Sequence, residues 1–220
     1  MKYPKITKKN ISCISGCRLN IYDKTYTYWE NRNTTSDEIE IVEFLKKKKI
    51  INQQILHIGI GNSYFAKSLF VNNKIIGITI LESELLKGNE LNIENYKIII
   101  KNKYQKDFIL RNNKFNIIVD VNLKSYSCCQ KAFEYYFKNL CASLKRNSTI
   151  ITSKKGMRWT SNLTPKYSFS LKNFFKKKLK ESKGLNNNIL SKKECVSLAK
   201  NNKMKLKFSK KSNIVIFKKS

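Results

Sequence analysis

The chain has 220 residues, 41% of them hydrophobic, and 45 Lys plus Arg against 15 Asp plus Glu give it a net charge of +30. That length and apolar content suit one sizeable packed domain and exclude a chain too polar to fold. No run of about 18 apolar residues occurs and the first ten residues lack a signal-like apolar core, so no membrane span is expected and a cytoplasmic protein is the default expectation.

Residues 1–34 are polar, with aromatics at Tyr22, Tyr26, Tyr28 and Trp29. Thr35-Ser36-Asp37-Glu38 reads as a capping box. It opens a helix with Ile39, Val42 and Leu45 at helical spacing, and the run Lys46–Lys49 ends it where cations suit the helix dipole. Residues 1–49 are therefore read as an N-terminal extension with a leading helix, and 50–220 as the main domain.

Gln54–Gly61 is predicted as strand one, and Ser63–Val71 as a helix with Phe65, Ala66, Leu69 and Phe70 on its apolar side. Lys74–Leu81 is strand two, Glu82–Asn92 a helix, Tyr96–Lys101 strand three and Phe115–Asn122 strand four. Near-continuous Ile and Val runs point to parallel strands buried on both faces. A helix over about Ser127–Leu144 carries Cys129, Phe133, Tyr136, Phe137, Leu140 and Leu144 on one stripe, and Thr149–Ser153 is strand five. Residues 154–188 are irregular, with Pro165 and a Lys176–Lys178 run. Ser191-Lys192-Lys193-Glu194 is a second capping box, opening a helix to about Asn201. Met204–Phe208 and Asn213–Lys218 close the chain as an antiparallel hairpin. The expected fold is α/β: a three-layer, doubly wound, mostly parallel sheet closed by an antiparallel C-terminal hairpin.

The basic balance has two readings. A polyanion such as RNA is one partner it suits. Only five of the basic residues are Arg, however, whereas bidentate phosphate and base recognition favours Arg. A drift of composition toward Lys, Asn and Ile is the other reading. The cysteines, at 13, 17, 128, 129, 141 and 195, lack the paired C-x2-C spacing of a zinc site. They are expected to be reduced thiols, and no metal is expected.

The chemistry concentrates in Leu56-His57-Ile58-Gly59-Ile60-Gly61-Asn62-Ser63. A strand running into a turn with two glycines lets the backbone approach a ligand closely, and amides at the turn and helix start can meet an anionic group. The pattern resembles the first strand of the class I (seven-stranded, Rossmann-like) S-adenosylmethionine-dependent methyltransferases, which reads apolar-acid-apolar-Gly-x-Gly. The Asn62-Ser63 pair is similar to a subgroup with Gly-x-Gly-Asn-Ser, and Tyr28-Trp29-Glu30-Asn31-Arg32 is similar to that subgroup's Tyr-Trp-x-x-Arg segment. The resemblance covers roughly residues 50–220 as an element order.

It implies that Gly59, Gly61, Asn62 and Ser63 wrap the methionine end of S-adenosyl-L-methionine, and that Tyr28, Trp29, Arg32 and Asn122 lie on the substrate side. His57, the only histidine, stands where the family has Asp or Glu; it faces the cofactor or packs beside the strand. Thr79 holds the place of the ribose-binding acid, which leaves Glu82 and Glu84 as rivals for that contact. Asp107-Phe108 is similar to the step that reads the adenine. Asp120 ends strand four, where ligands lie in such sheets, as cofactor contact, weak candidate for catalytic base, substrate acceptor or helix cap. The implied activity is methyl transfer to a small molecule or sugar-like metabolite. The alternatives are an RNA- or ribosome-directed methyltransferase and a non-catalytic Rossmann-like binding protein. A nicotinamide-dependent oxidoreductase fits less well, because Tyr64 stands where its third glycine would be.

Overall fold

The computed structural model describes residues 12–17, 19, 34–108, 114–154 and 190–220. Seven strands form one sheet in the order β3-β2-β1-β4-β5-β7-β6. They are β1 (Gln54–Ile58), β2 (Lys74–Thr79), β3 (Tyr96–Ile100), β4 (Phe115–Asp120), β5 (Leu144–Ser153), β6 (Met204–Phe208) and β7 (Ile214–Lys219). β1 to β5 pair in parallel, and β7 runs antiparallel to both β5 and β6. The described helices are α1 (Ser36–Lys47), α2 (Tyr64–Leu69), α3 (Glu82–Glu90), α4 (Gln130–Ser143) and α5 (Lys192–Asn201). None of the described helices is long and apolar enough to cross a membrane.

The layers follow from the side-chain alternation of the strands. Ile55, Ile75, Ile117, Val119 and Ile151 face α1 and α2, which cover them with Ile41, Val42, Leu45, Phe65, Ala66 and Leu69. Leu56, Ile118, Ile150, Val215 and Phe217 face the other way, onto Phe133, Phe137 and Leu140 of α4 and Leu198 of α5. Leu85 of α3 packs on Ile98 and Ile60. The doubly wound sheet and the closing hairpin predicted from sequence are both present.

Several boundaries differ for local reasons. β2 ends at Thr79 because the Leu81 N–H turns back to the Thr79 hydroxyl at 3.0 Å. β4 ends at Asp120 because its carboxylate accepts the Asn122 N–H at 3.1 Å. The capping box at Ser191–Glu194 forms on both sides. The one expected at Thr35–Glu38 does not: Thr35 makes no side-chain cap and Glu38 turns inward. The buried stripe of α1 is Glu38, Ile41, Val42 and Leu45, at i, i+3, i+4 and i+7, while Ile39 is 39% exposed.

The chain winds from β1 through β2 to β3 on one side, then returns to place β4 on the other side of β1. The strand order reverses between β1 and β4. Ile58 lies opposite Ile78 on one flank and Asp120 on the other, so the carboxyl ends of β1, β2 and β4 are level there. In open α/β sheets, ligands bind at such an edge.

Candidate functional site

Directly after β1 the backbone takes three left-handed residues in five, Gly59 (φ 78°), Gly61 (φ 50°) and Ser63 (φ 58°). Glycine reaches that region without strain, and three such residues turn the chain sharply from strand into α2. The Gly59 N–H continues the ladder to the Ile78 carbonyl at 2.8 Å, and the Ser63 N–H closes the turn on the Ile60 carbonyl at 2.8 Å. A side-chain carbon built on Gly59 or Gly61 meets no atom within 4 Å, so the turn stands beside open space.

The start of α2 is capped from within the protein. The Asn62 carboxamide accepts the Tyr64 N–H at 3.1 Å and donates to the Thr34 hydroxyl at 3.1 Å. Glu38, from α1, brings its carboxyl beside the Phe65 N–H, which favours the charged form. The Tyr64 amide is occupied, and α2 is shorter at both ends than Ser63–Val71. Ser63 is buried, and its hydroxyl lies 3.2 Å from the Tyr96 hydroxyl of β3.

His57 is fully buried and stacks on Phe65 with ring centroids 4.4 Å apart. Its Nε2 lies 3.8 Å from Glu38 Oε1 without a hydrogen bond, and neither ring nitrogen has a partner. Burial lowers the imidazole from its ordinary value to about 3, so it is neutral. Burial also lifts the Glu38 carboxyl to about 8, with Asp37 and Glu84 adding repulsion and the Phe65 N–H opposing. Glu38 is the site residue that sequence reasoning missed. The available signal was its register with Ile41, Val42 and Leu45 on the core stripe of α1.

The two rivals after β2 separate. Glu84 is buried, and its carboxyl takes a short hydrogen bond from the Thr79 hydroxyl at the strand end. Burial raises it to about 7 against that bond. Glu82 is exposed at the start of α3. Thr79, standing at the acid's place, thus holds an acid from five residues on. Gly88 lets α3 come close, since a side chain there would collide with Ile98 and meet Ser63 Oγ at 3.2 Å.

Asp107 is exposed beside Lys101, whose Nζ lies 3.6 Å from Asp107 Oδ2 and donates to its backbone carbonyl at 2.6 Å. Phe108 is buried and meets Tyr136 edge-on, with centroids 5.5 Å apart. Asp120 is enclosed. Its Oδ2 accepts from Lys103 Nζ at 2.8 Å and from the Tyr136 hydroxyl at 2.7 Å, while Oδ1 takes the Asn122 N–H. Desolvation lowers Lys103 and raises Tyr136, so each resists charge beyond this one ion pair. Asn122 contributes its carbonyl, which accepts from Lys103 Nζ at 2.7 Å and the Ser125 hydroxyl at 2.8 Å. Tyr28, Trp29 and Arg32 lie outside the described residues.

The structure thus brings His57, Gly59, Gly61, Asn62, Ser63, Thr79 and Glu84 together around the ends of β1 and β2, with Asp120 one strand away. It also gathers four cysteines that sequence spacing did not connect: Cys13, Cys17, Cys128 and Cys129. The two halves of this group meet only through the tertiary fold, which spacing along the chain does not show.

No family model and no curated protein matches the chain. Solved structures do. A TehB-like SAM-dependent methyltransferase from Corynebacterium glutamicum aligns with TM-score 0.57 and 10% identity, over 86% of this chain and 91% of its own. The 1,6-didemethyltoxoflavin-N1-methyltransferase of Burkholderia thailandensis, solved with 1,6-didemethyltoxoflavin and S-adenosylhomocysteine, aligns with TM-score 0.58 and 12% identity, over 88% of this chain and 84% of its own. The N-methyltransferase NodS of Bradyrhizobium japonicum aligns with TM-score 0.55 and 10% identity, over 83% and 96%. At these identities the likeness is one of fold: the chain has the class I methyltransferase architecture.

Proposed function

We propose that this class I methyltransferase fold carries an S-adenosyl-L-methionine-dependent methyltransferase acting on a small molecule or sugar-like metabolite. The observation that carries the reading is the open, left-handed glycine turn at the switch point, beside a buried carboxyl fixed at the end of β2. The donor set fits the cofactor. Gly59 and Gly61 leave room for the amino-acid end at the turn. Glu84, already accepting a hydroxyl from Thr79, is suited to accept the ribose hydroxyls. Glu38 brings a carboxyl to 3.8 Å from His57, where the family places its acid. Bound S-adenosylmethionine would supply an electrophilic sulfonium methyl. The chain's own task is then to hold the acceptor atom in line with that methyl and keep water out. Asp120, with Lys103, Tyr136 and the Asn122 N–H on its oxygens, braces the β4 edge rather than offering a free base. Neighbours with TM-scores above 0.5 include the toxoflavin-precursor enzyme solved with its small-molecule substrate, which favours a metabolite over a polymer.

Thermal denaturation with S-adenosylhomocysteine tests the cofactor. At 100 times Kd, a ligand adds about 2.7 kcal/mol, or roughly 5–10 °C for a chain of this size. Wild type is expected to shift saturably and Gly61→Val, with unchanged far-UV circular dichroism, is expected not to; equal behaviour of the two removes the basis of the reading. Incubation with radiolabelled S-adenosylmethionine and separated extract fractions tests the acceptor. Label is expected among small metabolites, and label confined to RNA would replace that substrate class.

A further inference from the structure

Cys13 and Cys17 come from the N-terminal segment, Cys128 and Cys129 from the loop that enters α4, and their four sulfur atoms all lie within 4.8 Å of one another. We propose that these four thiolates bind a single tetrahedral zinc ion, which fastens the N-terminal segment to the carboxyl edge of the sheet. The proposal is independent of the methyl-transfer reading. Tetrahedral zinc with Zn–S bonds of about 2.3 Å places its sulfurs about 3.8 Å apart. Cys13 Sγ and Cys129 Sγ are 4.0 Å apart. The remaining pairs need to close by about 1 Å at most. A disulfide would need about 2 Å between sulfurs, half the Cys13–Cys129 separation. An iron–sulfur cluster would hold its cysteines around the outside of an inorganic core, further apart than this group allows.

The backbone around the sulfurs is already arranged for thiolates. The Ser15 N–H donates to Cys13 Sγ at 3.3 Å and the Ala132 N–H donates to Cys129 Sγ at 3.4 Å. Such amide donors orient and stabilise metal-bound sulfur. Cys129 is also the N-cap of the 14-residue α4, where the helix dipole favours a negative sulfur. On the other strand of the cluster, the Cys13 N–H bonds to the Cys17 carbonyl at 2.9 Å and the Gly16 N–H to the Cys13 carbonyl at 3.0 Å. Gly16, at φ 79°, reverses the chain so that a C-x3-C spacing returns both sulfurs to one point.

Ligand chemistry argues the same way, since soft thiolates select zinc over magnesium or calcium. Four protein ligands leave no open position, which marks a structural rather than a catalytic ion. The Lys106 N–H bonds to the Ser12 carbonyl at 3.0 Å, and Cys13 and Leu19 are buried in the α4-side core. The ion would therefore clamp the segment across the loops after β3 and β4.

The full chain, purified reduced and without chelator, is expected to carry one zinc per chain by plasma mass spectrometry. After exchange, cobalt is expected to show thiolate charge-transfer bands and the intense d–d absorption of a tetrahedral four-sulfur site. Cys13→Ser and Cys129→Ser should each weaken zinc binding more than tenfold, whereas Cys141→Ser and Cys195→Ser should not. Chelation of wild type should lower Tm on the order of 10 °C, reversed by zinc. The metal titrations on wild type need no variant, so an insoluble variant leaves the test standing. A reduced wild-type chain that takes up neither zinc nor cobalt overturns the proposal. So does a disulfide among the four in protein kept under reductant, or unchanged zinc affinity in both cluster variants.

Discussion

Replacing Glu38 by Gln should stabilise the protein, by an amount that depends on pH. The Glu38 carboxyl is 8% exposed and is pushed from its ordinary value of 4.5 to about 8, chiefly by burial. A carboxyl with a raised folded-state value binds its proton more tightly folded than unfolded. Stability from this group is therefore complete below about pH 4.5 and is lost as pH rises toward 8. Each pH unit in that window costs about 1.4 kcal/mol, so the deficit at pH 7 is about 3 kcal/mol. Glutamine keeps an acceptor for the Phe65 N–H and carries no charge to desolvate. Urea denaturation of wild type and Glu38→Gln should give nearly equal stabilities at pH 4.5–5. At pH 7 the variant should be more stable by about 2–3 kcal/mol, or roughly 5–10 °C in Tm. His57, 3.8 Å away, is common to both proteins and cancels in the difference. If the two groups instead formed an ionised pair, Glu38→Gln would strand a buried imidazolium and the variant would be the weaker protein near neutrality. That result, or parallel pH profiles, refutes the reasoning.

Glu84, raised to about 7, should make S-adenosylhomocysteine bind more tightly as pH rises from 6 to 8, since the carboxylate is the better acceptor for ribose hydroxyls; calorimetry on Glu84→Gln should show a flat profile. Gly77→Ala places a carbon 2.6 Å from Ile60 Cγ2 and 2.8 Å from the Tyr96 hydroxyl, and should cost about 1–3 kcal/mol in equilibrium unfolding, with an unchanged midpoint arguing that this contact relaxes freely. Lys124 Nζ, 2% exposed, meets Glu194 Oε1 at 2.7 Å, so Glu194→Gln should destabilise by about 1–3 kcal/mol while Lys124→Met with Glu194→Gln recovers most of it; additive losses in the double-mutant cycle would show that the pair is not coupled.

What the sequence made legible was governed by local rules. The Ile and Val runs at Ile55, Ile75 and Ile117 are buried on both faces, the pattern of central strands in a parallel sheet. Gly59 and Gly61 marked the turn because glycine takes the left-handed region without strain, although Ser63 adopts it as well. Ser191 and Glu194 marked a helix start because both halves of the cap are three residues apart. The misreadings arise where a local pattern has a competing tertiary use. Thr35-Ser36-Asp37-Glu38 has the letters of a capping box, but Glu38 also completes the core stripe, and the N–H of Phe65 and the ring of His57 are waiting on that side.

The cysteines show the opposite limit. Cys13 and Cys129 are 116 residues apart, and neither C-x3-C nor Cys-Cys is by itself a metal spacing. Their convergence depends on two facts no local pattern contains: the segment holding Ser12 lies along the loop carrying Lys106, and α4 begins at the same edge of the sheet. The same edge holds the end of β4 and its Lys103–Asp120–Tyr136 network. An N-terminal segment that looked like a polar extension therefore supplies two sulfurs to one side of the sheet, and α1 just after it supplies the Glu38 carboxyl to the other. A truncation beginning at residue 50 would remove both, leaving Cys128 and Cys129 without the Cys13 and Cys17 sulfurs and His57 without the carboxyl 3.8 Å from its ring.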